Sequence, residues 1–465
     1  MNTDKKILRS ISNGVENGSY HRRVVKRLFE EVDNSPLIAF RIIFGLLLFY
    51  HILNALLNGS VYKTFIEPPF TFNFIGFDFL QPLPGPGMYY YFGLMALLAL
   101  MISLGAWYRV SISLFTILWA GRYLMQKSDY NNHYYLVLLV CSLMIFMPAN
   151  RYFSLDAERK PAIKKLSCPR WVNWLFISQV AVIYFYAAIS KLYADWFSGK
   201  FISIQFSRLS TQPIAGMLYG QRWFQLLVCY GGFFFDLLIV PLLLWRKTRP
   251  YAFVLGVMFH LFNSYTFKIG IFPYLSIAVL LFFANPEKVR RFFFKNKPPF
   301  VDTDLKSIPI PARRRMVIYG ISIYLLIQVI LPMRSWFFPG NVLWTEEGSR
   351  MSWKMMLRSK SGKIHFKVID PVSQKTWNIE PSKVFKPSHV MWLAISPDII
   401  WQYAQRIKKE FAARGFSQVE VYAIDSVSLN RGSYRPLVNP AINLAAEKWY
   451  PFRHSDWIMP YTKNE

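Results

Sequence analysis

The sequence predicts a polytopic α-helical membrane bundle of about nine transmembrane helices, with eight as the alternative, followed by a small C-terminal external α+β domain. Three observations carry this. Of 465 residues, 53% are hydrophobic and only 17% are charged, where a soluble domain carries about 25% charged residues. The apolar residues gather in runs of roughly 17–22, the length that crosses a ~30 Å hydrocarbon core. Lys and Arg concentrate at 1–27, 151–170, 246–249 and 288–315, on alternate connections, as basic loops held on the cytoplasmic side do.

The nine apolar runs fall near 37–57, 88–106, 110–126, 134–148, 171–191, 223–244, 251–268, 273–285 and 316–333. The fourth and eighth are short, which keeps eight spans open. Nine spans with a cytoplasmic N-terminus place the chain from Arg334 onward on the far side of the membrane. Basic residues there do not oppose this, because long domains translocate largely regardless of charge. Residues 1–36 are polar and the first apolar run is long enough to remain as an anchor rather than act as a signal peptide. The net charge of +28 is divided among these connections, so it marks topology and argues against a nucleic-acid partner.

Three domains follow: a basic cytoplasmic segment (1–36), a transmembrane helical catalytic domain (37–333) and the external domain (334–465). Within the first, HRRVVKRLFEEV (21–32) reads as a short amphipathic helix on the membrane surface. The Pro-, Gly- and Phe-rich loop 58–87 is poor in charge, so it is expected to fold back onto the bundle, and 286–315 reads as a linker. In the external domain IHFKVI (364–369) and VEVYAI (419–424) alternate like strands. Between them Ile400, Tyr403, Ala404, Ile407 and Phe411 share one helical face, with Gly415 as the stop.

Cys141 and Cys229 lie within spans and Cys168 in a cytoplasmic loop, so no external disulfide is expected. Metal-ligand and nucleotide-binding spacings are missing from the sequence.

Ionisable groups inside spans are costly and default to functional candidates. Lys191 ends the fifth run, in FYAAISKLYADWFSG. His133, in DYNNHYYL, opens the fourth from the same external side, and His260 and Asn263 approach the external end of the seventh. Asp236 lies deeper in the sixth, beside Gly231 and Gly232, which would permit close helix approach. Each has a plainer reading: a snorkelling lysine, a helix-capping or interfacial histidine, a hydrogen-bonded packing histidine, an aspartate satisfying a neighbouring helix. Tyr186, Tyr193, Trp196 and Phe197 give Lys191 an aromatic, poorly hydrated setting in which a neutral amine base is favoured. On residues alone, a lipid-soluble quinol, a lipid-transfer reaction and proton conduction all remain open.

Several stretches resemble the vitamin K-dependent gamma-glutamyl carboxylases. They are NNHYYLVLLVCSLMIFMPANRYFSLDA (131–157), SKLYADW (190–196), YGGFFFDLL (230–238), FHLFNSYTFKIGIFPY (259–274), SWKMMLRSKSGKIHFKV (352–368) and LNRGSYRPLVNPAINLAAEKWYPFRHSDWIMP (429–460). They occur in the family's order over nearly the whole chain. The resemblance implies oxidation of vitamin K hydroquinone by O2 to the epoxide, coupled to carboxylation of protein glutamate by CO2, without metal or biotin. It implies that Lys191 deprotonates the hydroquinone and that His133 serves the carboxylation half. Asn132, Trp196, His260 and Asn263 are expected to support the quinol pocket. Arg358, Lys360, Arg431 and Arg435 lie in family-like stretches and are expected to hold the glutamate carboxylate.

The sequence also departs from animal members. Ser190 and Tyr193 stand where those have a second lysine and an acidic residue, an external cysteine pair is missing, and the chain stops soon after YPFRHSDW. It looks like a compact bacterial member with an HTTM-type transmembrane domain, in the inner membrane with its C-terminal domain periplasmic, or lumenal in a eukaryote. Expected partners are a glutamate-containing protein or peptide, membrane lipid and a quinone reductase. The alternatives are a quinol epoxidase without carboxylation and a non-enzymatic membrane scaffold of the same fold.

Overall fold

The computed structural model describes residues 23–209, 215–267, 269–301 and 312–462. Each of the nine apolar runs is helical: α1 (Ser35–Leu57), α2 (Gly87–Leu104), α3 (Tyr108–Met125), α4 (Asn132–Phe146), α5 (Trp171–Ser190), α6 (Arg222–Leu244), α7 (Arg249–Phe267), α8 (Phe272–Val279) and α9 (Ala312–Met333). Five described segments, containing α1, α2, α5, α6 and α9, are long and apolar enough to cross a membrane. α4 and the apolar segment Phe272–Phe282 are shorter, while α3 carries Arg109 and Arg122. Five described helices thus have the length and hydropathy to cross a membrane, as in an integral membrane protein.

Neighbours in sequence pack in space: α1 on α2, α2 on α3, α3 on α4, α5 on α6, α6 on α7 and α7 on α8, with α9 against α5. α1 and α2 approach closely at Gly45, where a Cβ would lie 2.5 Å from the Ser103 backbone nitrogen. Gly231 and Gly232 do not serve that purpose. A Cβ on the first meets nothing within 4 Å, and on the second only Trp196 at 3.8 Å, so the pair leaves open space.

At the end of the bundle holding the N-terminal segment, the expected surface helix stops early. Residues 23–28 are helical, but β1 (Glu31–Asp33) pairs antiparallel with β2 (Ser167–Pro169). The segment expected to be a linker is partly folded onto the bundle: helix Pro286–Phe293 packs on α1. Lys297 is buried there, its Nζ 2.6 Å from Asp33 Oδ1 and 2.9 Å from Ser35 Oγ. The rest of that linker, 302–311, lies outside the described residues.

The C-terminal region forms a three-stranded antiparallel sheet, in the order β4 (Thr376–Ile379), β3 (Lys360–Ile369), β5 (Glu420–Leu429). β3 and β5 run from the Lys360–Leu429 pair to Ile369–Glu420. Alternation buries Ile364, Phe366 and Val368 from β3 with Val421, Ala423 and Val427 from β5. Helices α10 (Pro387–Ile395) and α11 (Pro397–Ala413) lie on the sheet. The five apolar residues expected on one face of α11 are all buried. Phe72, from the loop between α1 and α2, belongs to this core, and the Lys127 backbone N–H donates to its carbonyl at 2.7 Å. The Phe-rich loop therefore joins the bundle to the sheet domain.

Candidate functional site

Lys191 caps the C-terminus of α5, its backbone N–H donating to Ala188 O. The chain then turns into a short helix, Ala194–Phe197, whose Trp196 donates its indole N–H to Cys229 O on α6 at 3.0 Å. This pins the turn and sends the lysine inward, where it is 7% exposed. Its Nζ lies 2.5 Å from Asp236 Oδ2, 3.2 Å from Ala187 O and 5.2 Å from the centre of the Trp196 ring. The plainer reading of a lysine snorkelling to the headgroups does not describe this geometry. The expected aromatic setting reduces to Trp196. Tyr186 instead hydrogen-bonds Val329 O, Tyr193 donates to Leu357 O, and Phe197 packs on Tyr230 and Phe233. The amine's immediate neighbour is a carboxylate, not a ring.

Lys191, Asp236 and Trp196 line a cavity of about 650 Å3 that also receives His133, His260 and Asn263. Its remaining wall is apolar, with Phe235, Phe259 and Phe272 among its residues. The His260 Nε2 pairs with Tyr184 OH at 2.8 Å, while its Nδ1 is buried without a partner among the described residues. The His133 ring lies flat on Phe272, with ring centres 4.3 Å apart, and among the described residues it makes no hydrogen bond. It does not cap its helix, since Asn131 does that by accepting from the Tyr134 N–H at 2.8 Å.

A second, polar chamber of about 250 Å3 adjoins this cavity, and His133, Met355 and Met356 line both. Asn132 belongs to this chamber rather than to the apolar cavity. It accepts from Tyr130 OH at 2.8 Å and donates to Lys354 O at 3.2 Å, which ties the start of α4 to the 350–356 segment. That segment is bent through left-handed backbone at Met351, Trp353 and Met356, with φ of 61°, 57° and 53°. Such conformations cost energy in non-glycine residues and persist only where the surroundings impose them.

Buried charge surrounds the chamber. Asp398, at the start of α11, takes Lys127 at 2.8 Å and Arg350 at 2.5 Å. Burial would raise its carboxyl, but Arg350 and Lys127 outweigh that and hold it well below the usual carboxylate range. Burial lowers the Lys127 ammonium to about 8 despite Asp398. Glu346 pairs with Arg358 and, at 3.3 Å, with Lys360.

The four expected glutamate contacts separate here. Only Arg358 lines the chamber, and it is engaged by Glu346. Lys360 is buried, with its three N–H groups directed to Trp344 O, Ile395 O and Glu346, so it serves the fold. Arg431 donates to Ser207 Oγ and Arg435 to Ser433 and Thr462, and neither lines a described cavity with the others. Their family-like sequence context does not bring them to the site. Lys127, Arg350 and Lys354 do line the chamber and carried no distinguishing signal in the sequence. Among the described residues no cluster of three or more His, Cys, Asp or Glu suits a metal ion.

Residues 29–287, more than half of the chain, match the HTTM domain, which together with the five apolar helices long enough to cross a membrane marks an integral membrane protein of the HTTM class. Residues 313–464 match the vitamin K-dependent gamma-carboxylase lumenal domain, a region that takes in α9 with the sheet. The chain belongs to the vitamin K-dependent gamma-glutamyl carboxylase family. No solved structure matches it.

Proposed function

We propose that the chain is a vitamin K hydroquinone-dependent γ-glutamyl carboxylase. The observation that carries this is the position of His133, which lines both the apolar cavity containing Lys191 and the polar chamber rich in cations. A membrane-borne quinol and an ionic substrate thereby gain access to adjoining compartments.

The apolar cavity fits the hydroquinone. Its volume of about 650 Å3 is that of a small-molecule site, mostly apolar with few convergent polar groups. The partnerless His260 Nδ1 and Asn263 offer hydrogen bonds to ring oxygens. Oxidation of the hydroquinone supplies the strong base that the reaction needs, because a glutamate γ C–H is far too weak an acid for any side chain near neutral pH.

The protein's part is proton handling, exclusion of water and stabilisation of charge. Lys191 takes the hydroxyl proton as it passes its own to the Asp236 carboxylate, so the pair as a unit accepts one proton and Lys191 stays an ammonium. The apolar wall keeps out water that would quench a strong base. His133 faces the developing negative charge on the glutamate side. In the balance, the hydroquinone gives up both hydrogens, O2 supplies one oxygen to the epoxide and one to water, the γ hydrogen leaves as a proton, and CO2 becomes the new carboxylate. This reading places the chamber on the external face, in a bacterial inner membrane, with a quinone reductase returning the quinol.

The test is to supply the reconstituted protein with reduced vitamin K, O2, labelled CO2 and a glutamate peptide. The proposal expects epoxide and acid-stable label together. Epoxide without label under every peptide condition would mean a quinol epoxidase, and neither product would mean a scaffold.

A further inference from the structure

The chamber presents four cations, Lys127, Arg350, Lys354 and Arg358. Three are paired with buried carboxylates: Lys127 and Arg350 share Asp398, and Arg358 takes Glu346. Lys354 is partly buried and pairs with no carboxylate among the described residues. It also lines a further polar cavity of about 520 Å3, bounded by Tyr193, Trp336 and Asn430. Val342 and Leu343 share that dividing wall with it. Its backbone is fixed by the Asn132 side chain, the neighbour of His133.

A half-buried ammonium with no counter-ion is unfavourable unless an anion arrives, and burial does lower the Lys354 ammonium below its ordinary value. Resting on the carboxylase reading above, we propose that Lys354 is the specificity residue for the substrate carboxylate. The peptide backbone lies in the outer cavity, and the glutamate side chain passes Lys354 into the chamber toward His133. The chamber's other cations are held in place by the protein's own carboxylates, and among the described residues Lys354 is the one left to turn toward an incoming carboxylate.

The experiment measures binding alone. Fluorescent peptides differing only in Glu or Gln are titrated by anisotropy into the full-length protein in lipid nanodiscs, without quinol. Wild type should bind the Glu peptide roughly tenfold more tightly, as expected for one charge-assisted contact. Lys354→Gln should erase that preference by weakening Glu binding alone, and Lys354→Arg should keep it. Equal binding of both peptides by wild type, or a preference that survives Lys354→Gln, overturns the proposal. So does equal loss of both peptides in Lys354→Gln. Should that variant not fold, acylation of wild-type lysines mapped by mass spectrometry decides: the Glu peptide should protect Lys354 and the Gln peptide should not, and equal protection overturns the proposal. If the preference depends on Lys354 while no label from CO2 enters the peptide, the carboxylase reading fails and the carboxylate site stands.

Discussion

Lys191 Nζ and Asp236 Oδ2 lie 2.5 Å apart between α5 and α6, both buried, at the wall of the apolar cavity of about 650 Å3. A buried pair of this kind is costly to break from one side only, by about 3–5 kcal/mol, because the remaining charge is stranded. Asp236→Asn should therefore lower the apparent melting temperature of the solubilised protein and depress epoxide formation. The double substitution Lys191→Met with Asp236→Leu should regain most of the stability and none of the activity. Recovery of epoxidation in the double variant would show that the pair is structural only.

A second network joins the bundle to the sheet domain. Asp398→Ala strands Lys127 and Arg350 in a buried setting, again at a cost of about 3–5 kcal/mol. It also frees the 350–356 segment that Asn132 and Tyr130 hold against His133; Tyr130 OH accepts the Met351 N–H at 2.6 Å. In the fraction that folds, carboxylation should fall more than epoxidation. Equal losses in both would mean that the network supports the fold without aligning the two compartments.

Asp425 in β5 gives a pH prediction. Burial pushes its carboxyl up to about 7, against opposing N–H bonds from Val438 and Leu437 and the nearby Lys360 ammonium. An unfolded aspartate titrates near about 4, so the folded protein binds the proton more tightly. That stabilisation is complete below about pH 4 and is lost as pH rises through about 7. Asp425→Asn keeps an acceptor for the Leu437 N–H, which lies 3.1 Å from Oδ1, and cannot ionise. Its melting temperature should change less between about pH 4 and 8 than that of wild type. Identical slopes would remove Asp425 as the cause.

Orientation is open to labelling. Cys141, Cys168 and Cys229 are buried, so background reaction should be low. A cysteine at Lys247, exposed between α6 and α7, should react with an impermeant maleimide only from the cytoplasm, and one at Ser361 only from outside. Reaction of both from one side would reject the nine-span topology.

How much was legible follows from what each feature depends on. The helices were readable because burying an apolar run in lipid is a local requirement, and the α11 face because its period is local too. Span count was less so, since short α8 and charge-bearing α3 are judged against neighbours that a sequence does not display. Lys191 and His133 stood out as ionisable groups in apolar surroundings. Lys354 did not, because one lysine among many is distinguished only by the carboxylates that others have found and it has not. Lys360 misled for the converse reason: its family-like context hid that all its donors are spent on Trp344, Ile395 and Glu346.

The central claim is that Lys191 begins the quinol reaction while His133 serves the glutamate side. It is tested most directly by measuring epoxide and carboxylated peptide in the same vessel for Lys191→Ala and His133→Ala, each confirmed folded in the membrane. Lys191→Ala should abolish both products. His133→Ala should lower carboxylation by about 10²–10³, the usual cost of one stabilising donor, while epoxide continues to form. Loss of both products in the same ratio for the two variants, or retention of both in Lys191→Ala, would contradict the account.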